Sequence, residues 1–195
     1  MRLRPLLLAG LLAASSAAQA VTIFSDNFDT DGLGTNTTSF GGGWVVSGGT
    51  VDTIGNYNFY DFLPGNGRYI DLDGSSAQAG LFSLSIGLSA GTSYTASYSI
   101  AGNQRNYGSD MVDVNFGSNM LSHNMGAADP FSTMSIMFTP SVSGVYTLSF
   151  QNQGGDNVGA LLDNVSITAV PEPGTYAMLL AGLAAVGVAA RRRRQ

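Results

Sequence analysis

The chain of 195 residues contains no cysteine and no lysine, and it has one histidine, one tryptophan and one glutamate. The absence of cysteine excludes a disulfide framework, a thiol nucleophile and a cysteine metal site. The stability of a folded domain must therefore come from packing, with a bound ion as the remaining aid. Because His123 is the only histidine, a histidine-rich metal centre is excluded as well.

Positive charge is scarce between residues 21 and 169, where two arginines accompany twelve aspartates and the formal charge is −10. The other six arginines lie within five residues of the two chain ends. A domain this acidic repels nucleic acid and anionic membrane surfaces, so we expect no nucleic-acid partner. It is compatible with divalent cations and neutral sugars.

The sequence also lacks a recognisable catalytic constellation. A Ser-His-Asp triad would depend on His123, which lies in a segment expected to be a loop and has no nucleophile elbow beside it. The glycines form no nucleotide-binding fingerprint. Carboxylate pairs of the kind that glycosidases use occur by chance in a chain with this many aspartates. We therefore expect that the protein is not an enzyme.

Helical periodicity is hard to find in residues 21–169, whereas apolar and polar residues often alternate. Val112, Val114 and Phe116, for example, alternate with Asp113 and Asn115. Residues 29–43 are expected to form a long loop, and the pattern assigns no structure to residues 52–66. Short strands with polar outer faces predict an all-β fold, an antiparallel β-sandwich. About nine strands are predicted, at residues 22–28, 44–51, 68–72, 81–86, 92–100, 111–116, 133–139, 145–150 and 161–168.

The amino-terminal segment has the features of an export signal. Arg2 and Arg4 precede a short apolar stretch at residues 6–14, and Ala18-Gln19-Ala20 has the small-residue pattern of a cleavage site. Together they predict a secretory signal peptide over residues 1–20. The apolar stretch is far shorter than the roughly 20 residues that a spanning helix needs.

The carboxyl-terminal segment, residues 170–195, consists of three unlike pieces. The first is a Pro-Glu-Pro motif formed by Pro171, Glu172 and Pro173. Its prolines cannot donate backbone hydrogen bonds, so this piece is expected to be extended. The second is an uncharged apolar run at residues 176–190, which predicts a transmembrane helix. The third is a basic block that is expected to remain on the cytoplasmic side of the membrane. Its residues are Arg191, Arg192, Arg193 and Arg194.

This order of pieces resembles the PEP-CTERM sorting signal of Gram-negative bacterial surface proteins. The resemblance implies recognition by exosortase, a membrane protease-transpeptidase, and cleavage near the Pro-Glu-Pro motif. It also implies export through the Sec machinery, with the domain tethered at the inner membrane in the periplasm and then placed at the cell surface or outside the cell. An association with extracellular polysaccharide is a further implication.

Three phrases within residues 21–169 resemble the jelly-roll, carbohydrate-module-like domains that often precede such tails. They are RYIDLDG at residues 68–74, LSAGTSYTASY at residues 88–98 and LLDNVSI at residues 161–167. The resemblance implies a jelly-roll sandwich.

A structural calcium ion is a candidate cofactor. Asp163 shares the parity of Leu161 and Val165 in the last strand, and a carboxylate facing a core needs a partner. Asp26 and Asp29 lie at the first strand, and jelly-roll carbohydrate modules often hold calcium between the first and last strands. Asp26 or Asp29 with Asp163 would supply oxygen ligands. The alternative is that Asp163 only accepts backbone hydrogen bonds. Asp71 and Asp73 are expected to be solvated turn acids.

Aromatic side chains with neighbouring amides are candidates for sugar stacking. The candidate sugar-binding residues are Tyr57, Tyr60, Arg105 and Tyr107. Trp44, Phe59 and Tyr69 belong to the same aromatic set, and core packing is the alternative for most of it. The expected function is that of an exported surface or matrix protein, sorted through its tail and associated with polysaccharide. The alternative is a secreted lectin-like module with specific sugar recognition.

Overall fold

A computed structural model of the protein describes residues 20–57 and 59–170, together with nine residues of the tail (180, 182–184, 186–187 and 190–192). Residues 20–170 form one compact unit, and the predicted antiparallel β-sandwich is confirmed. Its strands are β1 (Val21–Asp26), β2 (Gly34–Thr37), β3 (Trp44–Ser47), β4 (Val51–Gly55), β5 (Arg68–Asp71), β6 (Leu81–Leu88), β7 (Ser93–Ala101), β8 (Asp110–Phe116), β9 (Asn119–Met125), β10 (Ser132–Phe138), β11 (Gly144–Asn152) and β12 (Leu161–Val170).

Two sheets face each other. The larger has seven strands in the order β10-β7-β12-β5-β4-β2, with β1 also paired to β12, and the smaller has the order β3-β6-β11-β8-β9. Alternation explains the packing, since Phe82 and Leu84 on β6 are buried while Ser83 and Ser85 are not. The main core lies between the sheets, where Trp44 stacks on Phe82 with ring centroids 4.3 Å apart.

A second, smaller apolar cluster consists of Ile54, Tyr69, Ala101 and Leu161. These residues alternate with members of the main core, for example Tyr69 with Ile70, so they lie on the outer face of the larger sheet. The half-buried side chains that pack against them are Phe59, Phe62, Leu63 and Phe131. This outer face is therefore covered by loops, and the covered face positions the site described below.

The last strand changes its neighbour halfway along. Residues Leu161 and Leu162 pair with β5, whereas the stretch from Val165 to Ala169 pairs with β1. The pairing with β7 shifts register between Asp163 and Ser166, and Asn164 has a positive φ of 51°. This bulge changes the facing of every residue after it.

The bulge corrects the prediction for Asp163. Leu162, Val165 and Ile167 belong to the main core, while Leu161 belongs to the outer cluster. Asp163 is buried, but it lies on the same face of the sheet as Leu161, whereas Val165 lies on the opposite face. The prediction assumed that side chains alternate strictly between the two faces of the strand, and the bulge breaks this alternation.

Other boundaries differ from the predicted ones. The predicted strand 44–51 is two strands. Gly48 has a positive φ of 73°, and the turn at this position sends β3 into the smaller sheet and β4 into the larger one. The predicted loop 29–43 contains β2, which is short and pairs irregularly with β4. The segment around His123 is not a loop but β9, which pairs with β8 over its whole length.

The tail residues that the structure describes are helical and exposed. Among the described residues, no helix has the length and apolar character needed to cross a membrane. Residues 1–19 of the predicted signal peptide, the Pro-Glu-Pro motif and Arg193 and Arg194 lie outside the described residues.

Candidate functional site

The loop of residues 56–67 carries the candidate residues Tyr57 and Tyr60, and it is held against the larger sheet by Tyr69 on β5. The buried hydroxyl oxygen of Tyr69 accepts hydrogen bonds from the backbone N–H groups of Phe62 at 2.6 Å and Leu63 at 3.1 Å. Burial raises the pKa of Tyr69 to about 12. Tyr69 is thus an anchor and not a sugar platform. Trp44 is also excluded as a platform, because only 3% of it is exposed in the main core.

A buried ion pair lies beside this loop. Nη2 of Arg105 is 2.6 Å from Oδ2 of Asp71, and Asp71 is 1% exposed. The other oxygen of Asp71 accepts backbone hydrogen bonds from Asp73 at 3.1 Å and Gly159 at 2.9 Å. Burial raises the pKa of Asp71, and the Arg105 guanidinium and the Asp73 N–H offset part of that rise. The expectation that Asp71 is a solvated turn acid is wrong, because loops cover this face of the sheet.

Arg105 is also held by its surroundings. Its Nε donates to the backbone carbonyl of Asn103 at 3.1 Å, and its guanidinium lies 4.9 Å from the ring centroid of Phe62. The loop of residues 102–109 is therefore joined to the loop of residues 56–67. Arg105 is about one-fifth exposed, so part of its guanidinium faces solvent.

A cleft of about 200 Å³ opens where these loops meet. Of the four candidate sugar-binding residues, Tyr60 and Arg105 line this cleft. Tyr107 lines a neighbouring cavity, and Tyr57 lines neither of the two. Several residues that line the cleft were not predicted from the sequence. The only sequence signal near them was the RYIDLDG segment at residues 68–74, which contains Asp71. The lining residues that were not predicted are Asp52, Ile54, Phe62, Ser75, Asn157 and Val158.

The exposed aromatic side chains of the described residues are Tyr57, Tyr60 and Tyr107, at 79%, 59% and 65%. None of them lies on a strand. On β7 the partly exposed positions instead carry small polar residues, such as Thr95 and Ser97, and the exposed apolar residues of other strands, such as Val45 and Val145, are not aromatic. The exposed aromatic surface is thus confined to loops.

The neighbouring cavity, also about 200 Å³, is lined mainly by polar side chains and is called here the acidic cavity. It contains Asp73, Asp110, Asn152 and Asp156. Burial, followed by the charges of Asp156 and Asp110, raises the pKa of Asp73 to about 6. The expectation that Asp73 is solvated is also wrong, since Asp73 is fully buried.

The carboxylates predicted to bind calcium lie near one another. Asp163 is 1% exposed, and burial raises its pKa to about 7, with further contributions from the charges of Asp29 and Asp26. Its oxygens accept hydrogen bonds from the backbone N–H of Asn164 at 2.6 Å and from the Asn164 side chain at 2.9 Å. This local bonding is the alternative that the sequence left open.

Asp26 and Asp29 have partners of their own. Asp26 accepts from the backbone N–H of Phe28 at 2.9 Å and from Nε1 of Trp44 at 3.1 Å. Asp29 accepts from the backbone N–H of Arg68 at 2.8 Å. In the part of the chain that the structure describes, no group of three or more histidine or acidic side chains is placed as a metal centre.

His123 contacts the main core. Its Nε2 is 2.7 Å from the hydroxyl oxygen of Tyr98, which is buried in the main core. Burial lowers the pKa of His123.

Comparison with known proteins gives results for both parts of the chain. The model of the PEP-CTERM protein-sorting motif matches residues 169–194. A search of curated proteins finds no match.

Several solved structures resemble the sandwich. The CBM22-1 xylan-binding domain of Xyn10C from Paenibacillus barcinonensis is 16% identical, with a TM-score of 0.52 over 80% of this chain and 99% of that one. The K3 cleaved adhesin domain of Lys-gingipain from Porphyromonas gingivalis is 12% identical, with a TM-score of 0.52 over 77% and 99%. The CBM22-1-GH10 modules of Xyn10B from Clostridium thermocellum are 16% identical, with a TM-score of 0.50.

The match to Xyn10B covers 77% of this chain and 29% of that one. At these identities the likeness concerns the fold alone. The predicted PEP-CTERM sorting motif is confirmed by the family match, and the jelly-roll resemblance agrees with the solved neighbours. The protein therefore carries a PEP-CTERM protein-sorting motif at its carboxyl end, behind a two-sheet sandwich of the kind found in carbohydrate-binding modules.

Proposed function

We propose that this is an exported, non-enzymatic surface or matrix protein, sorted and processed by an exosortase through its tail, whose sandwich binds polysaccharide. The match of residues 169–194 to the PEP-CTERM motif is the observation that carries the proposal. The resemblance of the sandwich to carbohydrate-binding modules supports the second half of it.

The arrangement of the loops favours their edge as the sugar-binding surface. Pyranose rings stack on aromatic faces while polar groups bind their hydroxyls. Tyr60 is exposed at the cleft that Arg105, Asp52 and Asn157 also line. The serine and threonine side chains on the strands offer no aromatic platform. Neutral sugars suit this surface better than acidic ones, because the domain has a formal charge of −10.

Binding to an oligosaccharide array tests the sugar site on the purified full-length protein. Truncation of Tyr60 to alanine should weaken binding about fivefold, since a stacked ring contributes about 1 kcal/mol. Tyr57→Ala reports whether the rest of the same loop takes part, and Tyr107→Ala reports on the neighbouring loop. Val142→Ala, an exposed apolar truncation elsewhere, is the matched control. Unchanged binding in Tyr60→Ala would remove the cleft from the proposal, and release of sugar products would contradict a non-enzymatic role.

The same array separates the leading function from its alternative. A matrix component should bind polymers broadly, whereas a secreted lectin-like module should select one oligosaccharide and lose it when Arg105 is changed.

Export and processing are tested by the mass of the mature protein isolated from cells. Cleavage after Ala20 and near Pro171 would reduce the chain to about 150 residues plus any attached group. Glu172→Ala with both prolines intact should leave the tail uncleaved if the motif is the recognition element. A full-length mature mass in the wild type would overturn the sorting proposal.

We also propose a structural calcium ion near Asp163, with Asp29 or Asp26 as the second carboxylate. The supporting observation is that Asp163 is buried with no basic partner among the residues that the structure describes, while two other carboxylates raise its pKa. Gly67 supports the arrangement, because a Cβ at this position would collide with the Asp29 carboxylate. Bound there, calcium would supply the positive charge that these side chains lack.

A further inference from the structure

Asp73 lies just past the end of β5, where the preceding Leu72 belongs to the main core. The side chain of Asp73 is fully buried, and neither of its oxygens accepts a hydrogen bond of normal length and angle, although the nearby Asn152 amide offsets part of the rise in pKa that burial causes. A buried carboxylate in this condition is costly when it is ionised. Something must either neutralise it or supply positive charge.

The surroundings of Asp73 supply the wrong sign of charge. Asp110 and Asp156 line the same cavity, and Asp110 is itself 8% exposed. The nearby cation is Arg105, which is engaged by Asp71 at 2.6 Å. One oxygen of Asp110 accepts a hydrogen bond from Nδ2 of Asn103 at 2.9 Å, which leaves the other oxygen for a ligand. The acidic cavity therefore places further carboxylates around the two buried oxygens of Asp73.

Asn152 adds a neutral oxygen to this set. It is 3% exposed, it lines the acidic cavity, and its Oδ1 has no hydrogen-bond partner. Rotation of the amide about χ2 can present either end to the neighbouring carboxylates. A carbonyl oxygen beside two carboxylates is a ligand set that calcium favours.

A metal ion and an ammonium group on a bound ligand could both neutralise Asp73. The burial of its oxygens favours the metal ion. The Asp73 oxygens are covered too deeply for a solvent molecule to touch them, so an ammonium group on a sugar cannot reach them either. A calcium ion binds oxygen at about 2.3–2.6 Å, closer than the roughly 2.8 Å of a hydrogen bond, so it needs less open space at these oxygens than an ammonium group does. The cavity of about 200 Å³ has room for waters that would complete the coordination.

We propose that the acidic cavity binds a calcium ion through Asp73, Asp110 and the side-chain oxygen of Asn152, with Asp156 adding negative charge. This site is separate from the one near Asp163. No three acidic side chains of the described residues already converge, so the protein ligands are two carboxylates and an amide, with waters as the others. The ion joins the end of β5 to the segments that carry Tyr107 and Asp156, and so it holds the loop of Arg105 in place.

Calcium counting on the purified full-length protein tests this. The protein is dialysed against buffered calcium at neutral pH, and the bound metal is measured by mass spectrometry and by titration calorimetry. Asp73→Asn, which keeps the shape of the side chain, should bind one calcium ion fewer than the wild type. Asp113→Asn removes a carboxylate outside the acidic cavity and should bind the wild-type number. Equal numbers in Asp73→Asn and the wild type would overturn the proposal.

Two further variants keep the result interpretable. Asp110→Asn retains the hydrogen bond to Asn103 and should weaken calcium binding about tenfold or more, even if Asp73→Asn does not fold. Wild-type affinity in Asp110→Asn would count against the site. Asp163→Asn reports on the other proposed ion. If the wild type binds a single calcium ion, and this ion is lost in Asp163→Asn but kept in Asp73→Asn, it belongs to that other site and the acidic cavity binds none.

Discussion

The substitution Asp163→Asn should stabilise the protein at alkaline pH, although most changes at a buried position destabilise. Asp163 is buried, its hydrogen bonds come from Asn164 alone, and Asp26 and Asp29 add negative charge around it. Burial raises its pKa to about 7, well above the value of about 4 in an unfolded chain. The folded state therefore holds a proton more tightly than the unfolded state.

The direction of the pH dependence follows from this difference. The stability that Asp163 contributes is fully present below about pH 4 and is lost as the pH rises through about 7. A change in pKa of this size corresponds to about 4 kcal/mol. Asparagine does not titrate and cannot reproduce every contact of a protonated carboxyl group. We expect Asp163→Asn to be more stable than the wild type by about 2–4 kcal/mol at pH 8 and to match it within about 1 kcal/mol at pH 4.

Unfolding monitored by Trp44 fluorescence is the assay. Trp44 is the only tryptophan, it is buried, and its Nε1 donates to Asp26 at 3.1 Å, so it reports on this part of the domain. With a chelator at pH 8, the melting temperature of Asp163→Asn should be about 5–10 °C higher. Other buried acids titrate in both proteins, so the difference between them isolates Asp163. Asp113→Asn is the control and should show no such gain.

Calcium should reverse the order of stability, so that the wild type melts above Asp163→Asn at pH 8. It binds the ionised form, so it should raise the melting temperature of the wild type at pH 8 and leave less effect at pH 5. Any calcium response of the acidic cavity remains in Asp163→Asn, and the part due to Asp163 disappears. A chelated variant less stable than the wild type at pH 8 would refute the argument that Asp163 is buried without adequate compensation.

Two further predictions concern the loops and use urea unfolding at neutral pH. Tyr69→Phe should lose about 1–3 kcal/mol, because the N–H groups of Phe62 and Leu63 lose their acceptor. Tyr146→Phe, whose hydroxyl donates to a carbonyl at the surface, is its control, and equal losses would contradict an anchoring role. Arg105→Met should cost about 3–5 kcal/mol by leaving Asp71 buried without its cation. Adding Asp71→Asn should restore much of this loss, and a purely additive double variant would argue against the pair.

The fold could be predicted because its signal is local. Alternation along β6, β7 and β8 gives the burial seen in the structure, and glycine-containing turns mark most of the strand ends. The missed strands are those without that signal. Met120 and Leu121 on β9 are both exposed, so β9 has no alternation to find, and only its pairing with β8 makes it a strand. β2 has four residues and no apolar side chain.

The site was predictable only in part. Tyr57, Tyr60 and Tyr107 could be found because aromatic residues among glycine and asparagine indicate loops, and the structure places all three at the surface. Tyr60 lines the cleft, Tyr107 lines the acidic cavity, and Tyr57 lines neither. This separation depends on how two loops fold over the larger sheet. That packing involves residues distant in sequence, such as Arg105 and Phe62, which no local pattern connects.

The acids show why a single pattern was insufficient. Asp71 and Asp73 occupy positions that a one-sided sheet would expose, and they are buried because a second apolar cluster brings loops over that face. Asp163 was noticed for its parity, and the bulge at Asn164 reverses the face on which the following residues lie. In each case, burial of a carboxylate runs against the solvation preference of the side chain. Such violations persist where something else compensates for them. Arg105 does so for Asp71, and Asp73 and Asp163 remain the two positions where a calcium ion would have the same effect.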